Sequence, residues 1–310
     1  MAGDTMTSHP ASPWAIDNKL CLITGATSGI GAATATELAR RGAHVLLVAR
    51  DPARGRAAAD AITAVHPDAK LEVLSCDLAR LDDVRSLART VQDSYGRLDV
   101  LVNNAGAVNF SRRTTIDGYE HTFAVNHLAP FLLTNLLRPA LAVPDQARVL
   151  TVTSDNHKTV HSVPWDDLQS EHGYKPLQAY NRTKLMNIWF TQALANTLAN
   201  TAITANCASP GFVRTRLARD ATGFFAVFIQ LAAPFQSSPE TAAATLVHLA
   251  TASEMSGQTG GYYRKSRRAA PGGLADEPNA ASRLWQISAE LTGVLMPRAE
   301  QLGILDNRHT

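Results

Sequence analysis

The chain has 310 residues, 45% of them apolar, which is ample material for a large buried core. Its 29 basic and 27 acidic residues leave a formal net charge of +2, so no general attraction to nucleic acid or to an anionic membrane follows. Cys21, Cys76 and Cys207 are widely spread and form no CxxC, which argues against a disulfide framework or a zinc site; each lies in or beside a short apolar run and reads as a small core residue.

Residues 1–18 carry Ser, Thr, Pro, Gly and Asp without apolar periodicity and lack the basic start and apolar stretch of a secretory signal; they read as a flexible tail. From Lys19 onward, strand-like and helix-like stretches alternate. Leu20–Ile23 is a short apolar run ending in a glycine turn, and Ala32–Arg41 is a helix stopped by Gly42. Val45–Ala49 is a second buried strand, Pro52–Val65 an alanine-rich helix, and Leu71–Leu74 a third strand closed by Cys76-Asp77. Asp82–Tyr95 spaces Val84, Leu87, Ala88 and Val91 as one helix face, with Gly96 after it. Leu98–Val102 is the fourth strand, and Tyr119–Leu137 a long helix that ends before Pro139. Arg148–Val152, the helix Gln178–Leu198 and the strand Ile203–Cys207 follow, and Gly257–Tyr263 completes the last strand.

Short apolar strands separated by helices indicate a parallel sheet covered on both faces. The expected fold is therefore α/β: a single doubly wound Rossmann domain, with a mostly seven-stranded parallel sheet and ligands at the carboxyl ends of the strands. The domain is expected to span residues 19–265, including a lid over 214–236, with a C-terminal extension, 266–310, packed on it. The lid carries Phe224, Phe225, Val227, Phe228, Ile229, Leu231 and Phe235, which suggests a lipophilic or aromatic substrate, with membrane-surface contact or subunit packing as the alternatives. No stretch reaches the roughly twenty apolar residues that span a bilayer, and the expected location is the cytoplasm. Arg264-Lys265-Ser266-Arg267-Arg268 reads as a solvated basic turn.

The glycine turn is Thr24-Gly25-Ala26-Thr27-Ser28-Gly29-Ile30-Gly31, between the first strand and the first helix. Gly25 permits a tight turn, Gly29 lets the backbone approach a pyrophosphate, and Gly31 permits close helix packing; the helix N-terminus offers free N–H groups to the phosphates. The end of the second strand reads the adenosine ribose in such folds: an acidic residue there selects NAD, an arginine accommodates the phosphate of NADP. Here Arg50 holds that place, with Arg54 and Arg56 one turn on. Asp51 falls one residue late and reads as a helix N-cap ahead of Pro52. The expected cofactor is NADP(H).

Asn103-Asn104-Ala105-Gly106 after the fourth strand, Asn126 in the long helix, Ser154 after the fifth strand and Tyr180-x-x-x-Lys184 on the next helix complete the set. In this order the motifs resemble those of the short-chain dehydrogenase/reductase family, over nearly all of residues 19–265. The "VLLVAR" end of the second strand, the long interval from Ser154 to Tyr180 and the terminal run Leu284-Trp285-Gln286-Ile287-Ser288 resemble its retinol-dehydrogenase-like branch. The resemblance implies hydride transfer between nicotinamide and an alcohol or carbonyl carbon, with Tyr180 as general acid/base. A free phenol, with a pKa of about 10, needs a nearby cation to lose its proton near neutrality, and Lys184 shares its helix face. Lys184 is further implied to hold the nicotinamide ribose, Ser154 to polarise the substrate oxygen, and Asn126 to anchor a water leading from Lys184 to solvent. Thr153 is the rival of Ser154, since only one of two neighbours on a strand faces the cleft.

By position, the resemblance sets Asp77 and Leu78 at the adenine ring, Asn104 and Ala105 near the adenosine ribose, and Pro210-Gly211-Phe212-Val213-x-Thr215 around the nicotinamide, with Val213 and Thr215 holding the carboxamide and phosphate. Arg112 and Arg113 depart from the family pattern by being basic. His157 reads as a solvent-facing loop residue, with a substrate contact as the alternative. No HxxEH or carboxylate cluster suggests a metal. Related enzymes pair through the two long helices, so a homodimer is open. The rival function on the same fold is an NADP(H)-binding regulatory or sensor protein.

Overall fold

The structure, a computed structural model, describes residues 14–211 and 237–295. Five strands, β1 (Leu20–Thr24), β2 (His44–Ala49), β3 (Lys70–Ser75), β4 (Val100–Asn103) and β5 (Ala147–Val152), are joined by β6 (Ile203–Ser209), β7 (Tyr262–Arg264) and β8 (Arg267–Ala269) in one sheet of order β3-β2-β1-β4-β5-β6-β7-β8. All neighbours are parallel except β7 and β8. The order reverses between β1 and β4, which opens a crevice at the carboxyl ends of those two strands.

The strands read as continuous apolar runs because both of their faces are buried. Leu20 and Leu22 point into a core shared with the helix α3 (Leu81–Tyr95), while Cys21 and Ile23 point into one shared with α1 (Gly29–Arg40). The helix α2 (Pro52–Val65) lies along β2 and β3, and α6 (Pro239–Thr251) along α1. Asp51 caps α2, its carboxylate accepting from the Ala53 N–H at 2.9 Å. The three cysteines are free and buried.

The second long helix, α5 (Pro176–Thr197), follows its sequence pattern closely. The first, α4, does not. A turn His121–Phe123, a π turn Ala124–Leu128 and the α-helix Ala129–Leu141 run on without a break. The helix passes through Pro139 instead of ending before it, because Leu137, Ala140 and Leu141 are buried and the Leu98 N–H ties the Ala140 carbonyl to the start of β4.

Three further differences from expectation stand at the edges of the domain. Among the described residues the sheet has eight strands, where seven are expected. The basic run does turn, at Lys265 and Ser266, with its basic side chains exposed, but it is the tip of a hairpin: at φ 48° and 57° the two residues make the left-handed turn that suits strand twist, and Ser266 N–H is held by the Thr245 hydroxyl. Lys-Ser is not a residue pair that announces such a turn. Residues Trp14 and Ile16, read as tail, are buried, and Trp14 donates to the Ala250 carbonyl and stacks 4.0 Å from the Arg148 guanidinium. Beyond β8, the helix α7 (Ala280–Thr292) packs on α5, with Trp285 buried against Phe131 and Phe190.

Candidate functional site

The site residues that the sequence marks out within the described residues follow the carboxyl ends of β1 to β6 or lie on the helical segments beside them. At β1, Gly25 and Gly29 have φ 66° and 57°, a region open to glycine at little cost. A side chain on Gly25 would begin 2.9 Å from Ala105 Cα, and one on Gly31 would strike the Gly25 carbonyl and the Asn104 amide; above Gly29 there is nothing within 4 Å. The turn is thus packed tightly below and open above. Asn104 fastens it, donating from Nδ2 to Thr24 O at 2.8 Å, while the Asn104 and Ala105 N–H groups donate to Thr24 Oγ1 at 3.0 and 3.1 Å. The sequence reading places Thr24 at the head of the glycine turn without giving its hydroxyl a role. Ser28 caps α1 without a side-chain hydrogen bond, so Gly29, Ile30 and Gly31 begin a helix whose first N–H groups the cap residue leaves free. These are the donors that a pyrophosphate requires, and the residues present fit such a group.

Arg50 is exposed at the end of β2, and Arg54 and Thr27 line a groove of about 500 Å³ between α1 and α2. Past β3, the Asp77 carboxylate accepts from Ala79 N–H at 3.0 Å, and Leu78 is buried beside it. The acidic residue available at the second strand, Asp51, is spent on its helix cap.

After β4, Gly106 lies beside two of these side chains: Lys184 Nζ and Asn126 Oδ1 stand 3.5 and 3.6 Å from where a Cβ on it would be, ordinary contact distance. Asn126 lies in the π turn of α4 and clasps the Ala107 backbone, accepting from N–H at 2.7 Å and donating to the carbonyl at 3.0 Å; it also donates to Thr183 Oγ1 at 3.0 Å. An extra residue in a helical turn re-aims the side chains around it, and such turns concentrate at functional sites.

Ser154 follows β5. Its Oγ accepts from Asn156 N–H at 3.2 Å, which leaves the hydroxyl hydrogen free to point elsewhere, and it lies near enough to the Tyr180 phenol to hold the phenol's pKa down. Thr153, its rival, is buried and donates to the Lys184 carbonyl at 2.6 Å, so the strand turns the two hydroxyls to opposite tasks. Lys184 is buried one turn below Tyr180, its Nζ 5.4 Å from the ring centre and donating to Val152 O at 3.1 Å. Asn187 donates to the same carbonyl at 3.2 Å. Burial brings Lys184 down to about 8 and pushes Tyr180 up to about 12, the latter opposed by the Ser154 hydroxyl.

Pro210 and Gly211 follow β6, Gly211 at φ 79°. Val213, Thr215 and the lid 214–236 lie outside the described residues. His157 does not face solvent: it is fully buried under the C-terminal segment. Nothing in its sequence neighbourhood signals this, because its partner is 114 residues away. Among the described residues no group of His, Cys, Asp and Glu is placed to hold a metal ion, and no helix is long and apolar enough to cross a membrane.

The short chain dehydrogenase family matches residues 19–223 of the chain. Mouse retinol dehydrogenase 12 is 36% identical over 293 residues, covering 94% of this chain and 91% of the relative. Human retinol dehydrogenase 14 is 37% identical over 299 residues, covering 91% and 89%. Among solved structures, an uncharacterized protein from Mycobacterium Paratuberculosis superposes with a TM-score of 0.74 at 32% identity, covering 93% of this chain and 98% of that one. A protein described as an NAD(P) dependent gluconate 5-dehydrogenase from Beutenbergia cavernae, solved with NADP at low occupancy, has a TM-score of 0.65 at 26% identity, covering 86% and 100%. With the glycine turn, the crevice and this degree of likeness, the chain belongs to the short-chain dehydrogenase/reductase family of NAD(P)(H)-using oxidoreductases, and within it is similar to the retinol dehydrogenases.

Proposed function

We propose that the chain is an NADP(H)-dependent alcohol dehydrogenase or carbonyl reductase, with Tyr180 as general acid/base and a lipophilic or aromatic small molecule as substrate. The observation that carries this reading is the meeting of Ser154 and Tyr180 above the buried Lys184, at the mouth of a crevice whose glycine turn presents free helix N–H groups.

When bound, nicotinamide supplies or accepts the hydride. Ser154, its lone pair already engaged by Asn156 N–H, donates its hydrogen to the substrate oxygen and polarises it. Tyr180 gives its proton to the developing oxyanion in reduction and takes one in oxidation. Lys184, as a cation, favours the tyrosinate and holds the ribose hydroxyls. Asn126 keeps the Gly106-Ala107 backbone in place beside it. Gly25, Thr27, Ser28, Gly29, Ile30 and Gly31 would hold the pyrophosphate, Asp77 and Leu78 the adenine, Asn104, Ala105 and Gly106 the ribose side, and Pro210, Gly211, Val213 and Thr215 the nicotinamide.

The choice of NADP rests on Arg50, exposed at the end of β2, while Asp51 caps α2. The apolar substrate rests on the seven apolar side chains counted in 224–235 and on relatives named for retinol, an apolar alcohol. The cytoplasm is proposed as the location from the three unpaired thiols.

The test is turnover of NADPH with a panel of lipophilic aldehydes and ketones, by wild type and Tyr180→Phe. Wild-type turnover that falls by roughly 10²–10⁴-fold in the variant, at nearly unchanged NADPH affinity, is expected. Tight NADPH binding without turnover of any substrate would favour a sensor, and an active Tyr180→Phe would remove the proton-transfer role.

A further inference from the structure

The turn that carries Ser154 is held from behind by a side chain outside the proposed reacting set. His157 is fully buried, and its backbone N–H and ring Nδ1 both face the Ser154 carbonyl oxygen, at 3.1 and 2.6 Å. Its Nε2 lies 2.9 Å from the carbonyl oxygen of Pro271. A carbonyl oxygen only accepts, so each of these contacts is a hydrogen bond only where that ring nitrogen carries a hydrogen. The ring also meets Tyr262 edge-on, with centroids 5.5 Å apart.

The neighbouring residue is held from the same side. Asp155 accepts from the Tyr262 phenol at 2.6 Å through Oδ1 and pairs with Arg264 at 3.0 Å through Oδ2. The short 3₁₀ turn Asp155–Thr159 is therefore fixed to β7 and to the segment after β8 at separate points. That turn starts at Ser154, and it supplies the Asn156 N–H that donates to the serine Oγ.

We propose that His157 is a positioning residue for Ser154: its backbone N–H and its Nδ1–H together hold the serine's carbonyl oxygen and so set the direction of the serine hydroxyl. This rests on the reading of Ser154 and Tyr180 as the pair that handles the substrate oxygen. A displacement of that oxygen's donor by about 1 Å is enough to cost on the order of 10²-fold in rate, so the clamp acts on kcat.

Two substitutions separate the two ends of the ring. The amide nitrogen of His157→Asn can stand where Nδ1 stands, and that of His157→Gln where Nε2 stands. His157→Asn should keep kcat within about threefold, and His157→Gln should lose roughly 10- to 100-fold, with NADPH affinity near the wild-type value in both. Equal losses that follow thermal stability would overturn the proposal, since a purely structural histidine predicts them. Spectra of ¹⁵N-labelled histidine in the wild-type protein need no substrate. They should show a hydrogen on His157 Nδ1; Nε2 as the sole protonated ring nitrogen would overturn the proposal. A chain without turnover, or an active Tyr180→Phe, counts against the reading of the site and leaves the Nδ1 signal to decide on the clamp.

Discussion

Burial alone works against the part proposed for Tyr180. It raises the phenol to about 12, whereas a group that exchanges protons near neutrality works best when its pKa is brought down. The Ser154 hydroxyl opposes that rise, and Lys184, itself lowered to about 8 by burial, has its Nζ turned to the Val152 carbonyl. Proposed proton transfer therefore needs Lys184 in its charged form, which is the majority form below pH 8 and is lost above it. Asn187 shares the Val152 carbonyl, so that oxygen keeps a donor if Lys184 turns to another partner. At the other end of the crevice, Arg50 carries the cofactor choice. Arg50→Asp should weaken NADPH binding by roughly 10- to 100-fold, the worth of a charged hydrogen bond to phosphate, and NADH binding far less. Fluorescence titration with both nucleotides measures this, and equal losses would take Arg50 out of the argument.

At the scale of elements, what the sequence discloses depends on how local the cause is. The strands β1, β2, β4 and β5 are legible because burial on both faces leaves an unbroken apolar run. The cap at Asp51 is legible because its partner is two residues away. The course of α4 is not: the π turn depends on Asn126 clasping the Ala107 backbone, and passage through Pro139 on burial of its last turn. Nor is β8, whose turn lacks the residues that favour positive φ, or the burial of His157. The choice between Thr153 and Ser154 could be posed from the sequence, but answering it needs the carbonyl of Lys184.

The same π turn holds His127, fully buried between aromatic rings, its Nε2 at 2.8 Å from Ser288 Oγ and its pKa lowered to about 4 by burial. The folded state therefore keeps this ring neutral where an unfolded histidine, with a pKa of about 6.5, takes a proton. Stability contributed in this way is present above pH 6.5 and is lost as the pH falls towards 4, by up to roughly 3 kcal/mol. Urea unfolding of wild type and His127→Phe across that range should show the wild-type curve falling more steeply with acid. Parallel curves would place the acid sensitivity elsewhere.

For the molecule as a whole, the C-terminal segment is more than an appendage to the nucleotide fold. It supplies β8, the Pro271 carbonyl that meets His157, and α7. Trp285 lies 4.9 Å from Phe131 of α4 and 6.0 Å from Phe190 of α5, centre to centre, and Ser288 meets His127. A pairing of two copies through the two long helices would have to share that face with α7. If α7 completes the core of one cooperative unit, Trp285→Ala should cost about 3–5 kcal/mol, the range for removing a fully buried aromatic ring. It should do so in a single unfolding transition that fluorescence and circular dichroism report together. The site should feel it too, because α7 bears on the π turn that holds Asn126 beside Lys184. A loss below about 1 kcal/mol, or an early separate transition, would make α7 an independent cap and leave residues 19–265 to stand alone.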